Sequence, residues 1–365
     1  MHALPPDATA TRGIAAGARY HPHAIVDDSL APPLWLRGGH AQSILPSLPW
    51  RRPAVERRAR PVLAASVERL IDCGEGTVLQ AFHARPATVA AGVPLTVILH
   101  GWEGSAQSLY VLSLAQTLFD LGHEVVRLNL RDHGETHHLN RELFHSCRLP
   151  EVLGALRAIQ REAAGRPLVL VSFSLGGNFM LRAAASRDAG VAVARAIAIS
   201  PVLDPKRTLD ALERGAAIYS RYFVLKWSRS LVKKQAAWPE DYDFTTLMRR
   251  GGLRHMTAEL VSAHTSFPTL DDYLDGYAIT GARLARLAVP STIIAALDDP
   301  IIPPTDLPRL AAPAALRIVL TPHGGHCGFF ERLTAPSWAD RRVAAILAAP
   351  GAQAPTTTSA ASRSP

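Results

Sequence analysis

Residues 167–178 combine a short apolar run, a serine and a pair of glycines, and this segment constrains the fold more than any other. The run before the serine contains β-branched valines and no alternation, which is typical of a strand buried on both faces in a parallel sheet. Ser174 follows the run, and Gly176 and Gly177 precede a helix-permissive stretch. The pattern predicts a strand, a sharp turn with the serine at its apex, and then a helix.

A serine held at such a turn is a candidate nucleophile. The common form of the turn, Gly-x-Ser-x-Gly, has small residues two positions before and two positions after the serine. Larger side chains do not fit there, because neighbouring segments of the chain crowd the strained backbone of the turn. Here those positions are Ser172 and Gly176, so the first departs from glycine but stays small. A serine after an apolar run can also be a simple helix N-cap. The functional interpretation therefore depends on finding a base, an acid and an oxyanion site elsewhere in the chain.

Strands and helices alternate through most of the sequence. This alternation predicts an α/β fold with a mostly parallel central sheet and helices on both faces. A period-two pattern on either side of Gly74 and Gly76 predicts a β-hairpin. Besides the strand before Ser174, the sequence predicts strands at 94–99, 124–130, 192–200, 290–297 and 316–320, and helices at 108–121, 150–164 and 338–348.

The domain organisation follows from changes in composition. Residues 1–60 are predicted to be an N-terminal arm, loose to about residue 30, and then a segment packed on the core through Trp35 and Leu36. Residues 61–349 are predicted to form the α/β domain. Within that domain, residues 205–288 contain many aromatic and charged residues but no strand-like run, which indicates a helical insertion serving as a lid. Residues 350–365 are rich in Ala, Pro, Ser and Thr, which predicts a disordered tail.

Composition excludes several classes of function. The formal net charge is +8, but no Lys/Arg run exceeds two residues and aromatic residues do not interleave with them. We therefore expect no nucleic-acid partner, whereas the arginines between Arg51 and Arg60 leave peripheral membrane contact open. Three scattered cysteines argue against a disulfide framework. No signal-like or membrane-spanning run is visible, so we expect a cytoplasmic protein; its oligomeric state is not readable from the sequence.

Further candidate catalytic residues follow the C-terminal ends of predicted strands, where open α/β sheets place their sites. Asp298 and Asp299 follow the strand at 290–297, and His323 and His326 follow the strand at 316–320. The Asp-Pro-Ile-Ile-Pro register favours Asp299, and Asp298 is the second choice. The glycines around His326 favour it over His323, because they let the loop aim the ring.

These residue types suit nucleophilic catalysis. A serine hydroxyl needs a base to take its proton, a neutral histidine can do so near pH 7, and a carboxylate orients the histidine. For the oxyanion we predict the backbone N–H groups of Leu175, directly after the serine, and of Trp102, in the loop after the strand at 94–99. His100 in that loop is predicted to be structural.

The sequence offers no clear metal or cofactor site. His133, His137, His138 and His145 crowd one segment, but their spacing matches no zinc-ligand pattern, so a solvated polar loop is predicted there. Neither a Gly-x-Gly-x-x-Gly turn nor a lysine-containing phosphate loop is present. We therefore expect neither a metal nor a cofactor.

Four stretches of the chain form a recognisable set of motifs: WLR at 35–37 with HAQS at 40–43, LHGWEGS at 99–105, SFSLGGN at 172–178 and GGHCGF at 324–329. With these motifs the chain resembles the YheT-like branch of the α/β-hydrolase superfamily, which includes the ABHD1/ABHD3 group. The resemblance covers about residues 30–350 and implies the α/β-hydrolase fold with the chain order Ser, Asp, His. It also implies hydrolysis or transfer of medium-chain or lipid acyl groups.

We therefore predict a cofactor-free serine hydrolase that cleaves short- or medium-chain acyl esters or lipid esters through an acyl-enzyme. Two alternatives remain open: an acyltransferase that passes the acyl group to an alcohol, and a non-catalytic binding protein that retains the fold. The sequence does not separate hydrolysis from transfer, because the acceptor depends on how well the site excludes water.

Overall fold

Nine strands form one sheet in the computed structural model, which describes residues 17–89, 93–186 and 189–349. The strand order across the sheet is β1-β9-β8-β7-β6-β4-β5-β3-β2. Across the sheet from β1 to β5, all neighbouring strands pair in parallel. The hairpin of β2 and β3 continues the sheet beyond β5 with antiparallel pairing. The strands are β1 (Ala24–Val26), β2 (Ser66–Gly74), β3 (Thr77–Ala84), β4 (Leu95–Leu99), β5 (Val125–Leu128), β6 (Leu168–Phe173), β7 (Val193–Ile199), β8 (Ser291–Ala296) and β9 (Leu316–Thr321).

Helices cover both faces of the sheet, as the alternating pattern predicts. Along β6, Leu168 and Leu170 pack into one core while Val169 and Val171 pack into the other, because successive strand residues point to opposite faces. Six α-helices precede β7 along the chain: α1 (Gly39–Ile44), α2 (Arg52–Arg58), α3 (Arg60–Ala64), α4 (Leu109–Asp120), α5 (Leu149–Glu162) and α6 (Ser174–Ala185). Helix α12 (Trp338–Ala348) follows β9 and packs beside α4.

Five α-helices and a short 3₁₀ helix (Ala282–Leu284) connect β7 to β8, where the sequence predicts a helical insertion at 205–288. The five α-helices are α7 (Pro205–Arg214), α8 (Ala217–Ala237), α9 (Thr245–Arg250), α10 (Leu253–His264) and α11 (Leu270–Gly276). Leu231 of α8 and Met256 and Leu260 of α10 form a separate apolar cluster with Leu143 of the core domain. The insertion therefore has its own small core and also packs on the loop before α5.

The prediction of a loose arm to about residue 30 is wrong for residues 24–26. Ala24, Ile25 and Val26 pair in parallel with Ile318, Val319 and Leu320 and form the edge strand β1. Three residues are too few to show a period-two pattern, so the strand was invisible without its partner. The first part of the arm and the tail at 350–365 lie outside the described residues.

Candidate active site

Ser174 occupies a strained turn between β6 and α6. Its φ of 49° lies in the left-handed region of backbone conformation, which residues other than glycine seldom adopt. A Cβ on Gly176 would lie 2.3 Å from the carbonyl oxygen of His100, so the turn tolerates no side chain there. Ser172 is tolerated because its buried hydroxyl donates to the carbonyl of Ile197 at 3.3 Å on the neighbouring strand.

The loops after β6, β8 and β9 bring Ser174, Asp299 and His326 together. The Nε2 atom of His326 lies 2.9 Å from the Oγ of Ser174, and its Nδ1 atom lies 2.9 Å from Oδ2 of Asp299. The other carboxylate oxygen of Asp299 accepts the backbone N–H groups of Ile301 and Ile302 at 2.8 and 2.9 Å. With Nδ1 donating to Asp299, Nε2 is free to accept the hydroxyl proton of Ser174.

The surroundings of His326 set its protonation. Burial alone would lower its pKa, but the neighbouring Cys327 and the Asp299 carboxylate outweigh burial and hold the pKa well above its ordinary value. The side chains of His326 and Asp299 are 11% and 2% exposed, so water screens their interaction weakly. The imidazole is therefore poised to take up and hold a proton.

The second choices, Asp298 and His323, lie next to the hydrogen-bonded chain of Ser174, His326 and Asp299 but are not part of it. One carboxylate oxygen of Asp298 accepts the backbone N–H of Gly325 at 2.8 Å, and the other lies 3.8 Å from Nδ1 of His323. Burial raises the pKa of Asp298 above its ordinary value. Asp298 thus braces the loop that carries His326, and does not contact its ring.

Trp102 and Leu175, whose backbone N–H groups are the predicted oxyanion donors, both border the cavity that contains Ser174. Leu175 lies in the first turn of α6, whose N–H groups have no partner within the helix. Within the described residues, neither Leu175 N–H nor Trp102 N–H donates to a protein acceptor. The Trp102 ring stacks on Phe223 of the insertion, and Lys226 donates to the Glu103 carbonyl at 3.2 Å. The insertion therefore supports this loop.

His100 has a structural position, as predicted. Its Nδ1 atom lies 2.7 Å from the carbonyl oxygen of Gly101, and its Nε2 atom accepts the backbone N–H of Leu130 at 3.2 Å. Complete burial lowers its pKa to about 3, with a contribution from His133. Because backbone groups engage both ring nitrogens, His100 is not free to act as a base for Ser174.

The segment with Trp35 and Leu36 is predicted only to pack on the core, yet its helix α1 contacts the loop that carries His326. Buried Gln42 donates to the Phe330 carbonyl at 2.8 Å and accepts the Phe330 N–H at 2.8 Å. Ser43 Oγ accepts the backbone N–H of His326 at 2.8 Å. The HAQS motif at 40–43 was the available signal, but nothing local in the sequence connects it to residue 326.

The prediction of a solvated histidine-rich loop holds at His138, which is exposed, but it is wrong for His133 and His137. Asp132, His133 and His137 are all buried beneath α8. Asp132 Oδ1 accepts a hydrogen bond from Lys234 Nζ at 2.9 Å, and burial lowers the pKa of both His133 and His137 to about 4. The inner face of the insertion covers this loop, which the composition of the loop alone does not reveal. No cluster suited to a metal ion occurs within residues 17–89, 93–186 and 189–349.

A cavity of about 700 Å³ connects Ser174 to the insertion. Its volume lies within the range usual for small-molecule sites. Apolar side chains of α7 and α10 line it, including Leu209, Leu212, Leu253 and Val261. The segment that follows α1 also borders it. The arrangement gives the serine hydroxyl access to a largely apolar space.

The family model described as alpha/beta hydrolase fold matches residues 94–333, and the chain belongs to that family. It is 29% identical over 259 residues to YheT of Escherichia coli (strain K12), provisionally named an esterase; the match covers 68% of this chain and 75% of that protein. Phospholipase ABHD3 of Mus musculus is 21% identical over 311 residues, covering 84% and 74%. These similarities confirm the resemblance that the sequence motifs indicated.

One solved structure shares the fold at a low level of sequence identity. A membrane phospholipase A, described as a bacterial virulence factor, superposes with a TM-score of 0.50 and 16% identity. The match covers 84% of this chain and 94% of that one. It supports the α/β-hydrolase fold and nothing finer.

Two further expectations concern the cellular setting. Cys73, Cys147 and Cys327 are all free thiols in the described structure. Among the described residues, none of the helices combines the length and the apolar character that crossing a bilayer requires. A cytoplasmic location stays a prediction.

Proposed function

We propose that this protein is a serine hydrolase that cleaves carboxylic esters through an acyl-enzyme. The observation that carries the proposal is the pair of 2.9 Å hydrogen bonds that link Asp299 to His326 and His326 to Ser174. Relatives named as an esterase and a phospholipase support ester chemistry. The same three residue types, in this chain order, recur in hydrolases of this fold.

In the acylation step, Ser174 Oγ attacks the ester carbonyl carbon while its proton moves to His326 Nε2. The carbonyl oxygen becomes an oxyanion, for which the N–H groups of Trp102 and Leu175 are the proposed donors. When the tetrahedral intermediate collapses, the bond to the alcohol oxygen breaks and His326 returns its proton to the departing alcohol. The products of this step are the free alcohol and an ester of Ser174.

Deacylation repeats the sequence with water. His326 takes a proton from a water molecule while the water oxygen attacks the acyl carbon. When the bond to Ser174 Oγ breaks, His326 gives that proton to Oγ and the carboxylic acid leaves. Asp299 holds the ring in the tautomer that leaves Nε2 unprotonated, and stabilises the imidazolium formed in each half-reaction. Such a base contributes about 10²–10⁴-fold, and each oxyanion donor about 3 kcal/mol of barrier.

The cavity argues for an apolar acyl group. Leucine and valine side chains of α7 and α10 line the space near Ser174, so an alkyl chain loses water contact on entering and is stabilised by about 0.8 kcal/mol for each buried methylene. A volume of about 700 Å³ accommodates a medium-length chain more readily than the whole of a large lipid. We propose medium-chain acyl esters, including the acyl groups of lipids, as substrates.

The test is covalent labelling together with ester turnover. A fluorophosphonate should label the wild-type protein on Ser174, and Ser174→Ala should lose both the label and turnover of p-nitrophenyl acyl esters. Ser262→Ala, at an exposed position on α10, is the matched control and should retain both. Full turnover in Ser174→Ala would exclude the proposal. A wild-type protein that is inert and unlabelled would favour a binding protein, and ethyl esters formed in added ethanol would measure acyl transfer.

A further inference from the structure

Helix α8 has apolar side chains on two opposite sides. Its inner side carries Tyr219, Phe223, Trp227 and Leu231, which pack on the core domain or the other insertion helices. Its outer side carries Ile218, Tyr222, Leu225 and Val232, which are 45–52% exposed. Spacings of four, three and seven residues place these four on one side of a helix. An exposed apolar stripe of this length on a helix is unusual unless something covers it.

The charge on α8 has a single sign. The helix is 21 residues long and contains five basic residues and no acidic residue. Arg221, Arg229 and Lys233 lie on or beside the apolar stripe. We use the term outer face of α8 for these three basic residues together with the four apolar residues of the stripe. In the described part of the chain Arg221 and Arg229 form no ion pair, whereas Lys233 pairs with exposed Glu135. The outer face is therefore both apolar and cationic.

Part of the outer face borders the entrance to the cavity. Ile218, Tyr222 and Arg229 border the cavity and are also exposed, so they stand at its mouth. The segment before α2 borders the same cavity, and Trp50 in that segment is 58% exposed. Whatever covers the outer face therefore also faces the route to Ser174.

We propose that the outer face of α8, together with Trp50, docks on an anionic lipid surface and turns the cavity mouth toward the bilayer. A helix with an apolar stripe and flanking Lys/Arg residues binds in the plane of a membrane interface, with its apolar side chains at the acyl boundary. The helix is about 32 Å long, so it presents the whole stripe at once. Nucleic acid would account for the arginines but leave the exposed leucine, isoleucine and valine unexplained.

Docking goes beyond the proposed function and does not depend on it, because binding requires no chemistry at Ser174. Only the delivery of a lipid ester from the bilayer into the cavity rests on the proposed hydrolysis. Lys226 of α8 donates to the Glu103 carbonyl, next to Trp102, so the docking helix also contacts the proposed oxyanion loop. Binding and catalysis are therefore measured separately.

The binding experiment uses the full chain carrying Ser174→Ala, so that no lipid is consumed. The protein is sedimented with phosphatidylcholine vesicles and with vesicles of phosphatidylcholine and phosphatidylglycerol. We expect binding to the anionic vesicles, weakening as salt is raised. Arg221→Gln/Arg229→Gln should lower the partition coefficient by about fivefold for each arginine removed. Leu225→Ser/Val232→Ser should lower it at least about tenfold, because the apolar contact is lost.

The matched control is Arg69→Gln/Leu70→Ser, which removes an exposed arginine and an exposed leucine from β2 at the far edge of the sheet. It should bind vesicles like the parent protein. Leu225 and Val232 do not border the cavity, so with Ser174 restored their double variant should hydrolyse a water-soluble ester at the wild-type rate. Its activity on esters presented in vesicles should fall with its binding.

Three results would overturn the docking proposal. The first is a parent protein that stays in the supernatant with both kinds of vesicle. The second is a control variant that loses as much binding as the α8 variants do. The third is a dimer, seen by sedimentation velocity without vesicles and lost in Leu225→Ser/Val232→Ser, which would assign the outer face to self-association. Vesicle binding by a protein without esterase activity would leave docking standing and remove only the proposed hydrolysis.

Discussion

The Oγ of Ser43 accepts a 2.8 Å hydrogen bond from the backbone N–H of His326, although 283 residues separate the two. The hydroxyl proton of Ser43 is directed to the Gly39 carbonyl at 2.7 Å, which leaves the oxygen oriented as an acceptor. Neighbouring Gln42 bonds both backbone groups of Phe330 on the other side of the same loop. Helix α1 therefore fixes the backbone that carries the proposed general base.

Ser43→Ala should lower kcat by about tenfold on a soluble ester and leave KM nearly unchanged. The His326 backbone loses its acceptor, and a small displacement of a catalytic group reduces the rate more than it reduces binding. Steady-state kinetics with a p-nitrophenyl ester measures this, with Ser262→Ala as the control and thermal unfolding as the check on folding. An unchanged kcat, or a fall explained by unfolded protein, would remove Ser43 as a positioning residue.

The pH dependence should distinguish Asp299 from Asp298. Because the pKa of His326 is raised, its neutral form accumulates only at higher pH, and kcat/KM should fall as pH drops through a pKa above 6.5. Asp299→Asn should reduce kcat/KM by about 10⁴-fold and move the remaining acidic limb to lower pH, since the stabilising charge is gone. Asp298→Asn should leave the acidic limb of the pH profile in place and reduce kcat/KM by at most about tenfold. If Asp298→Asn reduced kcat/KM more than Asp299→Asn does, Asp298 would be the acid that orients His326.

Much of the fold follows from local patterns in the sequence. The run before Ser174 is apolar on both faces because β6 lies at the centre of the sheet, between β4 and β7. Asp299 and His326 are predicted as catalytic candidates because each closely follows a strong strand signal. The choice of Asp299 over Asp298 also has a local reason, since the two N–H groups that orient its carboxylate belong to the next turn of chain.

The rest depends on partners far away in the chain. Strand β1 exists only because β9 is available to pair with it. The loop that contains Asp132 is polar in composition, and its burial comes from Lys234, 102 residues later. Ser43 and His326 likewise meet only after the sheet has formed. Periodicity reports which side of an element is buried, but not which element covers it.

Gly176→Ala should destabilise the protein by about 1–3 kcal/mol and reduce activity, because the added Cβ would lie 2.3 Å from the His100 carbonyl oxygen and 2.8 Å from that of Leu99. These two neighbours are backbone atoms at the end of β4 and at the start of the loop that carries the proposed oxyanion donor Trp102, so relief of the clash displaces that loop. Gly38→Ala is the control, since a Cβ added to Gly38 would have no other atom within 4 Å. It should cost at most about 1 kcal/mol, as Gly38 precedes α1. Urea unfolding compares the two, and equal losses would contradict the crowding argument.

Lys234 anchors the insertion to the core domain through a buried ion pair. Its ammonium group donates to Asp132 Oδ1 at 2.9 Å and to the carbonyls of Asn140 and Glu142 at 2.6 and 3.1 Å. Lys234→Met should lower the free energy of unfolding by about 3–5 kcal/mol, because the Asp132 carboxylate stays buried without its cation. Lys233→Met is the adjacent control, and loss of its exposed pair with Glu135 should change the free energy by less than about 1 kcal/mol.

The pH dependence of the Lys234→Met variant identifies the cause of its loss. Burial already raises the pKa of Asp132, and removal of Lys234, which lowers it, should raise it further. A carboxyl with a raised pKa in the folded state stabilises that state below the unfolded pKa, and the stabilisation is lost as pH rises through the folded pKa. The deficit should therefore shrink as the solution is acidified, and Lys234→Met/Asp132→Asn should recover much of it at neutral pH. Urea unfolding across pH measures both, and a deficit that is independent of pH and unrelieved by Asp132→Asn would assign the loss to packing.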